Sequence, residues 1–370
     1  MASTPLLEPG VAQGRWWHEL DDGRIQCDLC PRLCKLRDKQ RGFCFVRQAR
    51  NGEIALTSYG RATGFCIDPV EKKPLYHFHP GSAVLSFGTA GCNLGCRYCQ
   101  NWDISKARED HVLSAWATPE QIADAAVERN CRSVAFTYND PIIFAEYVID
   151  TAQAAHAKGL STIAVSNGYM MPKPRNEFYA RIDAANIDLK GFTEDFYRRV
   201  CYAHLEPVLD TLRWLRHRSG VWLEITNLLI PGHNDSDADV DALCRWVLDE
   251  LGPDVPLHFS AFSPAYRMLD VAPTPVATVL RAHERAMDIG LQYVYAGNIV
   301  NDACQTTQCP RCCAPLIVRN GYHIEFWDLQ NGGNCACCGA VIPGHFDPQP
   351  GNWGARRVPL TMFSTPAAAR

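Results

Sequence analysis

Gly91-Cys92-Asn93-Leu94-Gly95-Cys96-Arg97-Tyr98-Cys99-Gln100 follows directly on a strand-like run, Ala83 to Gly88, and spaces its cysteines as C-x3-C-x2-C. Three thiolates within eight residues can wrap one cubane iron–sulfur cluster, each taking one iron. The fourth iron then stays open. A closed zinc site needs four protein ligands, and the next candidates downstream, His111 and Cys131, do not stand at finger-like spacing. An odd local ligand set suits a cluster whose last iron takes a substrate or cofactor, and the amino and carboxylate groups of S-adenosylmethionine (SAM) can chelate it. Three reduced core cysteines are the plain alternative. Random spacing rarely sets three cysteines, two glycines and an aromatic beside a strand end.

Outward from this loop, short apolar runs alternate with amphipathic stretches, the pattern of βα units on a parallel sheet. Strands are expected at Ala83–Gly88, Ser133–Tyr138, Thr162–Ser166, Ala185–Leu189, Trp222–Thr226, Leu257–Ala261 and Gln292–Ala296. Thr118-Pro119-Glu120-Gln121 opens a helix with a capping box and proline in the first turn, and Thr274-Pro275 repeats the opening. The helix after Pro141 stops at Lys158-Gly159. The expected fold is α/β, a partial or complete (β/α) barrel, although periodicity alone does not exclude a doubly wound sheet. In a barrel the chemistry sits at the C-terminal strand ends, where the cysteine loop falls. The other strand ends carry Thr137-Tyr138-Asn139-Asp140, Ser166-Asn167-Gly168, Asp188-Leu189-Lys190 and Thr226-Asn227. Each has a local explanation, such as a helix cap at Asp140, a turn at Asn167 or a strand pair between Asp188 and Lys190. Together they supply what a zwitterionic sulfonium with a ribose needs: acceptors for the ammonium, a donor for the carboxylate and polar contacts for the hydroxyls.

Two further cysteine sets flank this region. Cys27-x2-Cys30-x3-Cys34-x9-Cys44 lies in a polar segment too poor in apolar residues to fold on burial alone, and zinc or a second iron–sulfur cluster would cross-link it. Near the other end, Cys309-x2-Cys312 and Cys335-x2-Cys338 are separated by 22 residues, the arrangement of a zinc ribbon. The expected organisation is a Cys-rich segment over 1–80, a barrel over 81–300, a zinc-ribbon or rubredoxin-like module over 301–346 and a disordered tail over 347–370. His77 and His79 read as surface or satisfied residues, and Glu71, Lys72 and Lys73 as a solvated turn.

Net charge is −4, which gives no default attraction to nucleic acid, and the ribbon offers only Arg311 and Arg319 as cations. No apolar run approaches a membrane span, and no secretory leader is evident at Met1 to Gly14. Eleven cysteines in three metal-like clusters suit a reducing compartment, so a cytoplasmic protein is expected.

The cysteine loop resembles the signature of the radical SAM enzymes, in which the aromatic corresponding to Tyr98 lies against adenine. Asp68 to Gly81, Thr226 to Asp235, His258 to Pro264 and Tyr295 to Asn298 further resemble the radical SAM member of the AmmeMemoRadiSam system, a relative of the pyruvate formate-lyase activating enzymes. The resemblance covers about residues 25 to 345. It implies a 4Fe–4S cluster on Cys92, Cys96 and Cys99, and SAM contacts at Tyr98, Asn139, Asp140, Asn167, Asp188 and Lys190. Asp140 stands where relatives carry glutamate. A 5'-deoxyadenosyl radical would take hydrogen from a substrate, with flavodoxin or ferredoxin as reductant and Memo-like and AMMECR-like partners. A glycyl radical activase and a non-catalytic electron-transfer scaffold are the competing functions.

Overall fold

The computed structural model describes residues 3–107, 115–301 and 303–362, so His111 lies outside the described residues. Seven parallel strands carry the cysteine loop: β1 (Ala83–Gly88), β2 (Ser133–Phe136), β3 (Ser161–Ser166), β4 (Ala184–Asp188), β5 (Trp222–Leu229), β6 (Leu257–Ala261) and β7 (Val294–Gly297). They neighbour one another in chain order. That order excludes the doubly wound alternative, whose sheet reverses direction at a switch point. Right-handed crossovers between strands laid down in one direction put every helix on the same face, and the sheet curves into a partial barrel. Helices α1 (Pro119–Glu128), α2 (Ala145–Ala157), α3 (Pro172–Tyr179), α4 (Glu206–Arg218), α5 (Asp237–Leu251) and α6 (Val276–Ile289) make those crossovers.

Local chemistry sets the boundaries. The Thr118 hydroxyl accepts from the Gln121 N–H and the Gln121 side chain reaches back, the expected capping box of α1. Asp140 accepts from the Ile142 N–H and opens a short 3-10 turn, Pro141–Phe144, ahead of α2. Strand β2 ends at Phe136, short of Tyr138, whose φ of 70° turns the chain out of the sheet. Thr274 is not a cap: its hydroxyl donates to the Leu229 carbonyl and accepts from the Phe262 N–H.

The first 80 residues contribute more to the main sheet than expected. Arg61–Pro69 runs antiparallel beside β1 and belongs to that sheet. Its outer edge is covered in two halves, by Ala115–Trp116 and by Val358–Pro359. The tail expected to be disordered from residue 347 is therefore ordered at least through this strand, while 363–370 lie outside the described residues.

The segment Val70 to Ser82 crosses the N-terminal end of the barrel; its Glu71 and Lys73 charges are buried, while Lys72 stays part-exposed. Glu71 and Lys73 are each 2% exposed. Lys73 pairs with Asp68 at 2.8 Å, and Glu71 accepts from the Gly81 N–H. Glu224, at the start of β5, accepts from the backbone N–H groups of Tyr76 and His77 and bonds His258 at 2.6 Å. His77 donates from Nδ1 to the Pro343 carbonyl and accepts a hydrogen bond from the Tyr295 hydroxyl at Nε2, and burial lowers its pKa to about 4. The Cys-rich module docks here through Tyr76, Tyr293, Tyr295, Leu316 and Ile317. Arg319, read as a free ribbon cation, is fully buried and donates to the carbonyls of Tyr76 and Gln305 and to the Thr307 hydroxyl. The solvated-turn reading failed because much of what covers this segment, Glu224, Tyr295, Arg319 and Pro343, lies far along the chain.

Candidate active site

The cysteine loop leaves the C-terminal end of β1 and is tied down on three sides. Asn139 donates both amide hydrogens, to the Thr89 hydroxyl and the Gly91 carbonyl, and accepts from the Thr89 N–H. Asn93, fully buried, donates to the Tyr169 carbonyl and accepts from the Asn167 amide. On the third side the loop's Gly95 and Arg97 N–H groups donate to Cys201 and Val200, the end of a π-helical turn over Tyr197–Cys201. Such turns concentrate at functional sites. Gly91 has φ of 89°, and a Cβ there would lie 2.0 Å from the Cys44 carbonyl, so both conformation and space require glycine.

Cys92, Cys96 and Cys99 border one end of a cavity of about 260 Å³. All six residues expected to meet SAM also border it: Tyr98, Asn139, Asp140, Asn167, Asp188 and Lys190. Alternation along β5 turns Thr226 and Leu228 into the cavity and Glu224 into the buried network below. The Asn139 amide is engaged by the loop, as is that of Asn167, whose Nδ2 donates to Asn93 and whose Oδ1 accepts from the Tyr169 N–H. These two residues position the cysteines at least as much as they face the cavity. Tyr98 is 3% exposed, with its hydroxyl 3.7 Å from the Cys201 sulfur. Cys201, fully buried, thus packs under the loop.

The charges divide into two groups. Asp140 accepts from the N–H groups of Ile142 and Asn167 and from the Ser166 hydroxyl, yet has no ion-pair partner among the described residues. Burial pushes its pKa up to about 6 against those donors. Lys190 pairs with Asp188 at 2.8 Å. Burial acts to lower the lysine pKa, but Asp188 and the nearby Cys96 thiol outweigh it and raise the value. Thr226 adds a buried hydroxyl with no hydrogen-bond partner. A buried carboxylate without a cation, a part-buried ion pair and an orphaned hydroxyl line the same cavity as three thiols, and together they fit a zwitterion bound beside a cluster.

The radical SAM superfamily model matches residues 87–246, from the end of β1 into α5. The chain carries a radical SAM domain. Over 333 residues it is 40% identical to the uncharacterized protein MJ0808 of Methanocaldococcus jannaschii, covering 90% of this chain and 99% of that protein. It is 25% identical to the benzylsuccinate synthase activating enzyme of Thauera aromatica over 193 residues, 51% of this chain and 57% of that enzyme. Among solved structures, a radical SAM methyltransferase from Sphaerobacter thermophilus aligns over 78% of this chain and 77% of its own at 14% identity, with a TM-score of 0.48. A domain of pyruvate-formate lyase-activating enzyme from Bacteroides vulgatus aligns over 45% and 99% at 16% identity, with a TM-score of 0.40.

Away from this cavity, Cys309, Cys312, Cys335 and Cys338 bring their sulfurs within 4.8 Å of one another, the one such group among the described residues. It sits at the opposite end of the barrel from the cavity. No helix among the described residues is long and apolar enough to cross a membrane.

Proposed function

We propose that Cys92, Cys96 and Cys99 hold a 4Fe–4S cluster and that the cavity beside them binds SAM. The observation that carries this reading is the meeting, on one cavity, of three thiols with Asp140, the Asp188–Lys190 pair and the unpartnered Thr226 hydroxyl. When bound and reduced, the cluster supplies the electron that splits SAM into methionine and a 5'-deoxyadenosyl radical able to take hydrogen from a substrate. Asp140 is placed to accept the SAM ammonium, Lys190 to donate to its carboxylate, and Thr226 to meet a hydroxyl. Tyr98 and Asn167 flank the same space, and Asn139 holds the loop in register. The C-terminal thiols hold a structural zinc, which staples a small module that lacks a core of its own.

For the substrate, we favour a small molecule or protein handled with Memo-like and AMMECR-like partners in an AmmeMemoRadiSam system, in the cytoplasm, with flavodoxin or ferredoxin as reductant. The similarity to a benzylsuccinate synthase activating enzyme favours a second reading, an activase that draws hydrogen from a backbone glycine of a partner protein.

The test is anaerobic: reconstitute the protein, count iron and sulfide, reduce, add SAM and measure 5'-deoxyadenosine beside a Cys96→Ala control. Product that depends on Cys96 supports the reading. A filled, reducible cluster whose EPR signal ignores SAM, with no product, would leave an electron-transfer scaffold.

A further inference from the structure

Cys27, Cys30, Cys34 and Cys44 line a second, nearly closed cavity next to the radical SAM loop, and Arg47 and Asn93 border it too. The four thiols come from the three-stranded sheet Trp17–Glu19, Ile25–Cys27 and Lys35–Leu36 and from the turn before Arg47–Arg50. The sequence leaves open whether they take a single zinc ion or a cluster. Three observations decide between the two.

Separation is the first. A single tetrahedral ion draws its sulfurs together, as the C-terminal set shows with contacts of 3.6 Å and 3.7 Å. No other group of three or more ligand atoms among the described residues closes to within 4.8 Å. The N-terminal thiols line one cavity, yet no three of their sulfurs come that close together, as expected where each thiolate serves its own iron.

Arg47 is the second. It is 1% exposed and forms two 2.8 Å bonds to Glu146, yet its Nε has no partner. Leaving a buried donor unsatisfied costs about 1–3 kcal/mol, and the cavity it borders is where an acceptor would lie. Cluster sulfides and thiolates are acceptors, and hydrogen bonds to sulfur tune such clusters. The Phe43 N–H already donates to the Cys34 sulfur at 3.5 Å.

Position is the third. The Cys44 carbonyl lies against Gly91, and Cys44 and Cys92 border a common opening of about 290 Å³. Arg32 locks the two segments together by donating to the carbonyls of Asn93 and Tyr202.

We propose that Cys27, Cys30, Cys34 and Cys44 hold a second iron–sulfur cluster that relays electrons to the one on Cys92, Cys96 and Cys99. A low-potential protein donor reduces the N-terminal cluster by one electron. That electron passes to the radical cluster and the N-terminal cluster returns to its oxidised state, with no bond made or broken. The relay rests on the function proposed above; the presence of the cluster does not.

The experiment compares three full-length proteins after anaerobic reconstitution: wild type, Cys30→Ser/Cys34→Ser and Cys92→Ala/Cys96→Ala/Cys99→Ala. Iron, sulfide and zinc are counted, and EPR spectra of the dithionite-reduced samples are taken with and without SAM. Wild type should hold two clusters, with each variant losing one cluster's iron and matching sulfide. The triple variant should keep a reducible signal that SAM does not shift. Iron absent from the triple variant, with one zinc fewer in the double variant, would overturn the proposal. If the double variant fails to fold, losing its C-terminal zinc as well, the triple variant still decides. Failure of the SAM reading looks different: clusters present in both variants, none responding to SAM. The relay itself predicts that Cys30→Ser/Cys34→Ser loses fast reduction of the radical cluster by reduced ferredoxin, and an unchanged rate would refute it.

Discussion

Replacing Asp140 with asparagine removes one charge from the cavity wall while keeping the size of the side chain. The carboxylate is 3% exposed, has no ion-pair partner among the described residues, and holds its two oxygens toward the Ile142 and Asn167 N–H groups and the Ser166 hydroxyl. If its remaining capacity serves the SAM ammonium, Asp140→Asn converts a charge-assisted hydrogen bond into a neutral one. Hydrogen bonds to charged groups contribute about 1.5–3 kcal/mol and neutral ones about 0.5–1.5, so the difference of about 1–1.5 kcal/mol should weaken SAM binding about 5- to 13-fold. A side effect is built in: the new amide nitrogen must oppose one of the two N–H donors, costing about 1–3 kcal/mol of stability. Iron content and a melting curve must therefore show that the variant is folded and loaded. The assay is anaerobic equilibrium binding of SAM to the reconstituted protein between pH 5 and 8. Burial sets the Asp140 pKa at about 6, so the carboxyl is neutral below that pH and charged above it. Wild-type affinity should fall as pH drops through about 6, while the variant stays flat there. An affinity within twofold of wild type at pH 8, or the same pH profile in both proteins, would refute the assignment.

Thr226→Val keeps shape and removes the orphaned hydroxyl. Stability should hold or rise, while SAM affinity falls by roughly 2- to 12-fold, the worth of one neutral hydrogen bond; equal binding would free Thr226 of any ligand role. Glu146→Ala strands the buried Arg47 and should cost about 3–5 kcal/mol, seen as a lower melting temperature. Arg47→Met/Glu146→Leu should recover most of that loss, and a double variant as unstable as the single one would contradict the buried-pair account. Cys309→Ser should remove one zinc per chain and open the docked module to protease near Tyr76 and Leu316. It should leave SAM cleavage within about twofold of wild type, because the module sits at the far end of the barrel from the cavity; a collapse of cleavage with the fold intact would show that the two ends are coupled.

What was legible in the sequence followed local periodicity. Strands such as Ala83–Gly88 and Leu257–Ala261 are bounded by glycine, proline and charged residues, and the structure keeps the expected limits. The polar residues at the strand ends were legible for the same reason, since a parallel barrel puts those ends in one place. Their partners were not. Asn139 and Asn167 read as cofactor contacts because they stand at strand ends and match family positions, but their amides are held by Thr89, Gly91 and Asn93 across the sheet. Glu71 and Lys73 read as solvated because a run of charges carries no sign of Arg319, Asp68 or the ribbon that covers them. Thr226 was visible as a polar strand end, but that its hydroxyl is left without a partner emerges only from three-dimensional packing.

Val358–Pro359 lies along the Cys66–Ile67 half of the strand Arg61–Pro69, and Leu360 adds a further bond to Phe65. A row of N–H and C=O groups on an outermost strand is a template for another chain, and here residues 358–360 of the same chain occupy it. A chain cut after Trp353 would keep every cysteine and every wall of the cavity, yet offer a sticky margin to its neighbours. Its loss would be felt first as precipitation during expression, before any change in chemistry.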